Sequence, residues 1–230
     1  MALRREPSGV EGDLALTLPA RSKVRKVEHH AALPWRGIGD FMHALHSQAG
    51  AGARALRFAV LTAARSGEVR GACWREIDLS TATWVIPAQR MKRDREHRVP
   101  LSEPAIEILR EMAAARSIDD TDALIFPGHD PKRPLSDMSL TAVLRRMNRG
   151  DLTAHGFRSS FRDWAAEATA YPAELAELAL SHAVGNKVEA AYRRGDLFEK
   201  RRRLMDDWAA FCSTPSAKEA SNVVALREKA

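Results

Sequence analysis

The sequence predicts an α+β domain that is mostly helical, with one small antiparallel sheet. Apolar residues recur at helical spacing through most of the chain, beginning with Ile38, Phe41, Met42 and Leu45. One stretch breaks that rhythm: Thr83-Trp84-Val85-Ile86 reads as a strand, His97-Arg98-Val99-Pro100-Leu101 as its partner, and a basic loop joins them. With 45% of its 230 residues hydrophobic, the chain can bury one sizeable core.

The elements follow in order. Residues 1–32 hold Pro7, Gly9, Gly12 and Pro19 and the basic cluster Arg21, Lys23, Arg25 and Lys26, with little apolar periodicity. They read either as a solvated leader or as a linker, the remnant of an upstream domain, crossing DNA phosphates. After the Ile38 helix comes a largely apolar one from Arg54 to Ala64, then a short one capped by Ser66 and running to about Trp74. Beyond the hairpin, Glu103 to Arg116 follows a Ser102 cap, with Pro104 tolerated in its first turn. Leu140, Val143, Leu144 and Met147 mark the next helix, and Phe157, Phe161 and Trp164 the core stripe of another. Pro172 opens a helix through Leu180, Asn186 to Arg194 forms a shorter one, and Leu204, Trp208, Phe211 and Cys212 line the last. The domain is expected over residues 33–212, with a polar tail at 213–230.

Lys and Arg number 36 against 30 Asp and Glu, a net charge of +6 that favours a polyanionic partner, because neutralised phosphates release condensed counterions. Cys73 and Cys212 stand far apart with no metal-ligand spacing, so neither a zinc site nor a disulfide framework is expected. No apolar run approaches the ~20 residues that span a bilayer, and the expectation is a cytoplasmic, nucleoid-associated protein.

Against this background a fixed order of polar residues stands out: Arg65, Lys92, His155 with Arg158, His182, and a late Tyr192. Arg65 falls between two helices with Glu68 three residues on, which by itself fits a structural ion pair better than a guanidinium fork oriented toward phosphate. Lys92 is the only lysine of the hairpin loop, flanked by Arg90, Arg93, Arg95 and, on the second strand, Arg98, which suit nonspecific phosphate contact. His155 and Arg158 share a helix face, a costly pair to bury without an anion between them, and Arg162 extends that face. His182 ends a helix, and Tyr192 follows on the next beside Arg193 and Arg194. Taken alone, a helix tyrosine such as Tyr192 is usually a packing residue.

Together these residues suit attack on a DNA phosphodiester by a tyrosine hydroxyl, with neither metal nor nucleotide cofactor. Arginines and histidines would hold the non-bridging oxygens and strengthen their grip as charge builds in the pentavalent transition state. Phenol, with an unperturbed pKa of ~10, is deprotonated more easily among cations and is also a workable leaving group in reverse. The bond energy is then kept in a phosphotyrosine. Lys92 is placed to protonate the departing 5′ oxygen, and His155 to take the tyrosine proton.

The chain resembles the tyrosine recombinase (phage integrase) family, in particular the integrases of prophages and genomic islands. The resemblance rests on Leu61-Thr-Ala-Ala-Arg65-Ser-Gly-Glu68, Met91-Lys92 through Val99-Pro100-Leu101, His155-Gly-Phe-Arg158, Leu180-Ser-His182 and Ala191-Tyr192-Arg193-Arg194. It implies the catalytic fold of that family, with Arg65 and Arg158 as paired catalytic arginines, Lys92 as the lysine, His155 and His182 as the histidines, and Tyr192 as nucleophile. It also implies a 3′-phosphotyrosine intermediate, double-stranded DNA as partner, assembly of four copies on DNA, and accessory DNA-bending proteins. Two other readings share these residues: a noncatalytic DNA-binding remnant that modulates a full-length relative, and a relaxase like the type IB topoisomerases. Residues 214–230 are a candidate for docking on a neighbouring copy.

Overall fold

A computed structural model describes residues 31–92, 94–116, 120–182 and 195–215. The hub is a helix that is apolar on nearly every side. Helix α2 (Ala51–Thr62) buries Ala53, Ala55, Leu56, Phe58, Ala59, Val60 and Leu61, so it needs partners all round. It obtains them from α1 (Ile38–His46), α3 (Ser66–Arg70), α4 (Glu103–Ala115), α5 (Ser139–Arg146) and α8 (Phe198–Ser213). On the α8 side, the Trp208 indole donates to the α2 carbonyl of Val60 at 2.8 Å. Around Trp208 gather Phe161 and Trp164 of α6 (Gly156–Ala168), with centroids 5.4 and 5.0 Å away. Such aromatic pairs each contribute about 0.5–1.5 kcal/mol beyond their buried area.

The sheet is antiparallel in the order β1 (Ile77–Asp78), β2 (Thr83–Ile86), β3 (His97–Pro100), with Trp84 opposite Val99 and Ile86 opposite His97. Strand β1 is the addition to the expected hairpin. It is two residues long, too short for period-two alternation to register.

Two expectations are corrected here. Helix α3 stops at Arg70 rather than near Trp74, because the backbone beyond it is taken by residues 121–125: Ala72 O accepts from Ile125 N, and Trp74 N donates to Ala123 O. Ser66 is not its cap but its first residue; the cap position is Arg65, whose backbone N–H donates to the Glu68 carboxylate at 2.8 Å. Ser102 does precede α4, yet its buried hydroxyl has no hydrogen-bond partner. The other described helices are found where expected, though the last begins at Phe198, six residues before Leu204, and the Phe157 helix runs on to Ala168; the expected helix at 186–194 lies outside the described residues.

The segment entering the domain crosses the start of α6. Ala31 O accepts from Thr153 N at 3.3 Å, Leu33 O accepts from the Ser160 hydroxyl, and a Cβ on Gly156 would stand 2.1 Å from Ala31 O. Glycine is needed at 156 so that this strand of chain can pass close over the helix. Helix α7 (Ala173–Ala179) follows α6 and packs on it. Among the described residues, no helix is long and apolar enough to cross a membrane.

Candidate functional site

Arg158 is the anchor of the site. It rises from the first turn of α6, only 4% exposed, and reaches two backbone carbonyls from distant parts of the chain. One Nη donates to Ala63 O; the other donates to Leu180 O at 2.6 Å and to His182 Nε2 at 3.3 Å. Both carbonyls lie at helix ends where the chain turns through the left-handed region: Ala63 itself has φ 50°, and Ser181, after Leu180, has φ 52°. Neither residue is glycine, so each turn stores on the order of 1 kcal/mol of strain that the surrounding packing must hold. Burial, and then the Arg65 charge, pull the Arg158 pKa down to about 10. Its direct acceptors are neutral, and burial with the Arg65 charge outweighs the opposite pull of Glu68 and Glu177, which leaves the guanidinium short of negative charge.

His182 is fixed from both sides. The turn at Ser181 folds it back over α7, so that its backbone N–H donates to Glu177 O at 2.9 Å and its Nδ1 meets Glu177 Oε2 at 2.6 Å. With Glu177 accepting, Nδ1 carries the proton and Nε2 is free to accept from Arg158. The other Glu177 oxygen accepts from Arg162 Nε at 2.6 Å. Burial acts to raise the Glu177 pKa, but the bonds from His182 and Arg162 outweigh it, and the carboxyl lies below its ordinary value.

Arg65 sits at the mouth, with its Nη1 2.7 Å from Glu68 Oε1. Glu68 is 6% exposed and grips both the backbone and the guanidinium of Arg65, so the fork is aimed by a carboxylate held inside the protein. Arg65, Gln89, Lys92 and His155 share the walls of an open groove of about 530 Å³. Lys92 is exposed there, and His155, at the N-cap of α6, is exposed as well. Thus Arg65, Lys92 and His155 meet at one surface, while Arg158 and His182 form a second cluster joined to the first through the electrostatic reach of Arg65 onto Arg158.

The flanking arginines divide. Arg90, expected as an outward phosphate contact, turns inward: Nη1 binds the buried Glu76 carboxylate, 2.5 Å from Oε1, and Nη2 donates to Glu68 O. Glu76 also accepts from the Trp84 indole at 3.0 Å. Arg90 therefore ties the base of the Lys92 loop to the turn that carries Arg65. Its neighbour Met91 is buried too, at 4% exposure. Arg98 is exposed, 4.0 Å over the Phe198 ring and 3.7 Å from Asp196. Arg95 is exposed, and Arg162 pairs with Glu177 as above. Arg93, Tyr192, Arg193 and Arg194 lie outside the described residues.

Sequence reasoning missed Glu177, Glu76 and His97. The His97 Nε2 lies 3.3 Å from Ala179 O at the end of α7, and burial, with Arg201 adding, lowers its pKa to about 4. It joins β3 to the helix end that carries Leu180 and His182. Among the described residues, no group of three or more His, Cys, Asp or Glu is placed to hold a metal ion.

Residues 36–196 match the model of the phage integrase family. The prophage integrase IntA of Escherichia coli K12 is 38% identical over 152 residues, which are 65% of this chain and 36% of that protein. The prophage integrase IntZ of the same strain is 32% identical over 189 residues, 81% of this chain and 46% of its own. The integrase of enterobacteria phage P4 is 29% identical over 239 residues, 96% and 54% respectively. The chain thus spans between 36% and 54% of these relatives. Among solved structures, the integrase from mycobacterium phage Brujita matches with a TM-score of 0.57 at 19% identity, covering 84% of this chain and 61% of that one. The XerH site-specific recombinase, bound to its difH substrate in a pre-cleavage complex, gives 0.53 at 19%, with 75% and 54% covered. At that identity the likeness is one of fold.

Proposed function

The chain belongs to the phage integrase family, and from that premise we propose that it cleaves and rejoins double-stranded DNA through a 3′-phosphotyrosine at Tyr192. One observation supports this above the others: Arg158 is buried, short of negative charge, and set beside His182 and Arg65. A phosphodiester supplies the missing anion, and a pentavalent phosphorane, with more charge on its equatorial oxygens, supplies it better. That difference is what lowers a barrier.

In this reading Arg65, Arg158 and His182 hold the non-bridging oxygens. The Tyr192 oxygen attacks phosphorus, its proton passes to His155, and the P–O5′ bond breaks as Lys92 protonates the 5′ oxygen. A 5′ hydroxyl from another strand reverses the step and frees the tyrosine. Arg95, Arg98, Arg162 and, beyond the described residues, Arg93, Arg193 and Arg194 contact flanking phosphates; Arg90 instead holds the Lys92 loop. Residues 33–212 form the catalytic domain, with 1–32 as linker and 213–230 as tail. Four copies assemble on two duplexes, with accessory DNA-bending proteins, in the nucleoid.

Covalent trapping tests the proposal. Wild type and Tyr192→Phe are incubated with supercoiled plasmid and with nicked duplexes from the flanks of the gene's own locus. The expected result is a denaturation-resistant protein–DNA adduct in wild type alone. No adduct in wild type, with salt-sensitive DNA binding intact, overturns the cleavage reading and leaves a DNA-binding protein. An equal adduct in Tyr192→Phe overturns the choice of nucleophile.

A further inference from the structure

We propose that Glu177 is a positioning residue for the reaction: it fixes the tautomer of His182 and provides the counter-charge that lets Nε2 take a proton when phosphate arrives. The inference rests on the reading of the reaction given above, but its structural half stands without it.

Three bonds define the device. Glu177 Oε2 accepts from His182 Nδ1 at 2.6 Å, Glu177 Oε1 accepts from Arg162 Nε at 2.6 Å, and Arg158 Nη2 donates to His182 Nε2 at 3.3 Å. The backbone adds a fourth, from His182 N to Glu177 O at 2.9 Å, so the ring and its carboxylate cannot drift apart while the turn at Ser181 holds. The two partners of Nε2 then follow in sequence. Before DNA binds, Arg158 occupies the Nε2 lone pair. When a phosphate oxygen draws the guanidinium away, Nε2 faces an anion with no proton to give. It becomes a donor by taking one proton from solvent, and the imidazolium so formed lies between the phosphate oxygen and the Glu177 carboxylate. A histidine held by a carboxylate in this way keeps its orientation and gains a stabilised cation.

The charges facing His182 come from several elements. Helix α7, just before it, gives Glu177, and α6 gives Arg158 and Arg162. The turn between α2 and α3 contributes Arg65 and Glu68, which act on Arg158. Strand β3 contributes the titratable His97, hydrogen-bonded to Ala179 O and uncharged at neutral pH, its pKa being lowered to about 4. Glu177 is the one anion in direct contact with the ring among the described residues. Arg162 shares that carboxylate and keeps it from rotating off the ring.

Two variants separate orientation from charge. Glu177→Gln keeps an oxygen that can accept from Nδ1–H but carries no charge; Glu177→Ala keeps neither. The first readout is nitrogen NMR of histidine-labelled full-length protein, with His182 assigned by its substitution. The second is single-turnover cleavage of a nicked duplex as a function of pH.

In wild type the proton is expected on Nδ1. The Gln variant should keep that tautomer but lose cleavage increasingly toward alkaline pH, reaching on the order of ten-fold. The Ala variant should lose the tautomer and be slowed at every pH. Ala and Gln variants that cleave with the wild-type pH profile overturn the counter-charge role. An unchanged His182 tautomer in the Ala variant overturns the positioning role. Should wild type form no adduct, the proposed function falls, while the NMR arm still decides whether Glu177 sets the tautomer.

Discussion

Replacing Arg158 with methionine should nearly spare the fold while removing the chemistry. Burial first, and then Arg65, pull the pKa of this guanidinium down to about 10, well below its ordinary value. A difference of that size is worth on the order of 3 kcal/mol against the charged form in the folded state. Methionine removes that penalty and fills similar space with a flexible apolar chain. The change also strips the Ala63 and Leu180 carbonyls of their donor, at about 1–3 kcal/mol each. The opposing effects leave a net loss of about 1–2 kcal/mol, which lowers Tm by roughly 5 °C in a domain of this size. Urea unfolding of wild type and variant, without DNA and with saturating duplex, measures it. Wild type should gain more stability from duplex than the variant does, since only wild type offers the buried cation. Cleavage should fall by on the order of 10²–10³ or more. A loss above about 4 kcal/mol in the absence of DNA would mark Arg158 as a strut of the fold. A variant that still cleaves would refute the phosphate role outright.

Glu76→Ala is expected to behave in the opposite way: it leaves Arg90 Nη1 and the Trp84 indole without their acceptor, with Arg90 Nη2 still on Glu68 O, and breaking such a buried pair costs about 3–5 kcal/mol. Chemical denaturation measures this, and slowed cleavage should accompany it because the base of the Lys92 loop is released. His97 predicts an acid-sensitive fold. Burial and Arg201 keep its folded pKa near 4 against an ordinary 6.5. Its contribution is therefore complete above 6.5 and drains as pH falls from 6.5 to 4, by about 2–3 kcal/mol. Comparing unfolding midpoints of wild type and His97→Gln across that interval checks it; the variant should lose less stability over the same range.

The helices and the hairpin were legible because their apolar periods match their burial: Phe58, Trp84, Ile86, Phe161 and Trp208 are all fully or nearly fully buried. What stayed hidden was polar and nonlocal. Glu177 sits in Ala-Glu-Leu-Ala-Glu-Leu-Ala, which reads as an ordinary exposed helix face, and it meets His182 only because Ser181 adopts a left-handed turn. Arg90 looked like one more basic residue of a solvated loop. The short 3-10 turn over Ala88–Arg90 directs it and Met91 inward instead, toward a glutamate 14 positions earlier. The signal available was Met91, an apolar residue in a charged run that marks where such a loop touches the core. The Ser66 misreading has a similar origin: its type suits a cap, but Glu68 satisfies the backbone one residue earlier.

Arg158 joins a carbonyl 95 positions before it to another 22 positions after it. Only a stretch reaching from Ala63 to Leu180 holds all three, and closing so long a loop is worthwhile only once the domain has packed. During synthesis Ala63 and Arg65 leave the ribosome long before Arg158, and Tyr192 comes later still. On the proposed reading, the capacity to break DNA arises only in a chain that has already folded. Topology then acts as a safety interlock against misfolded or half-made copies.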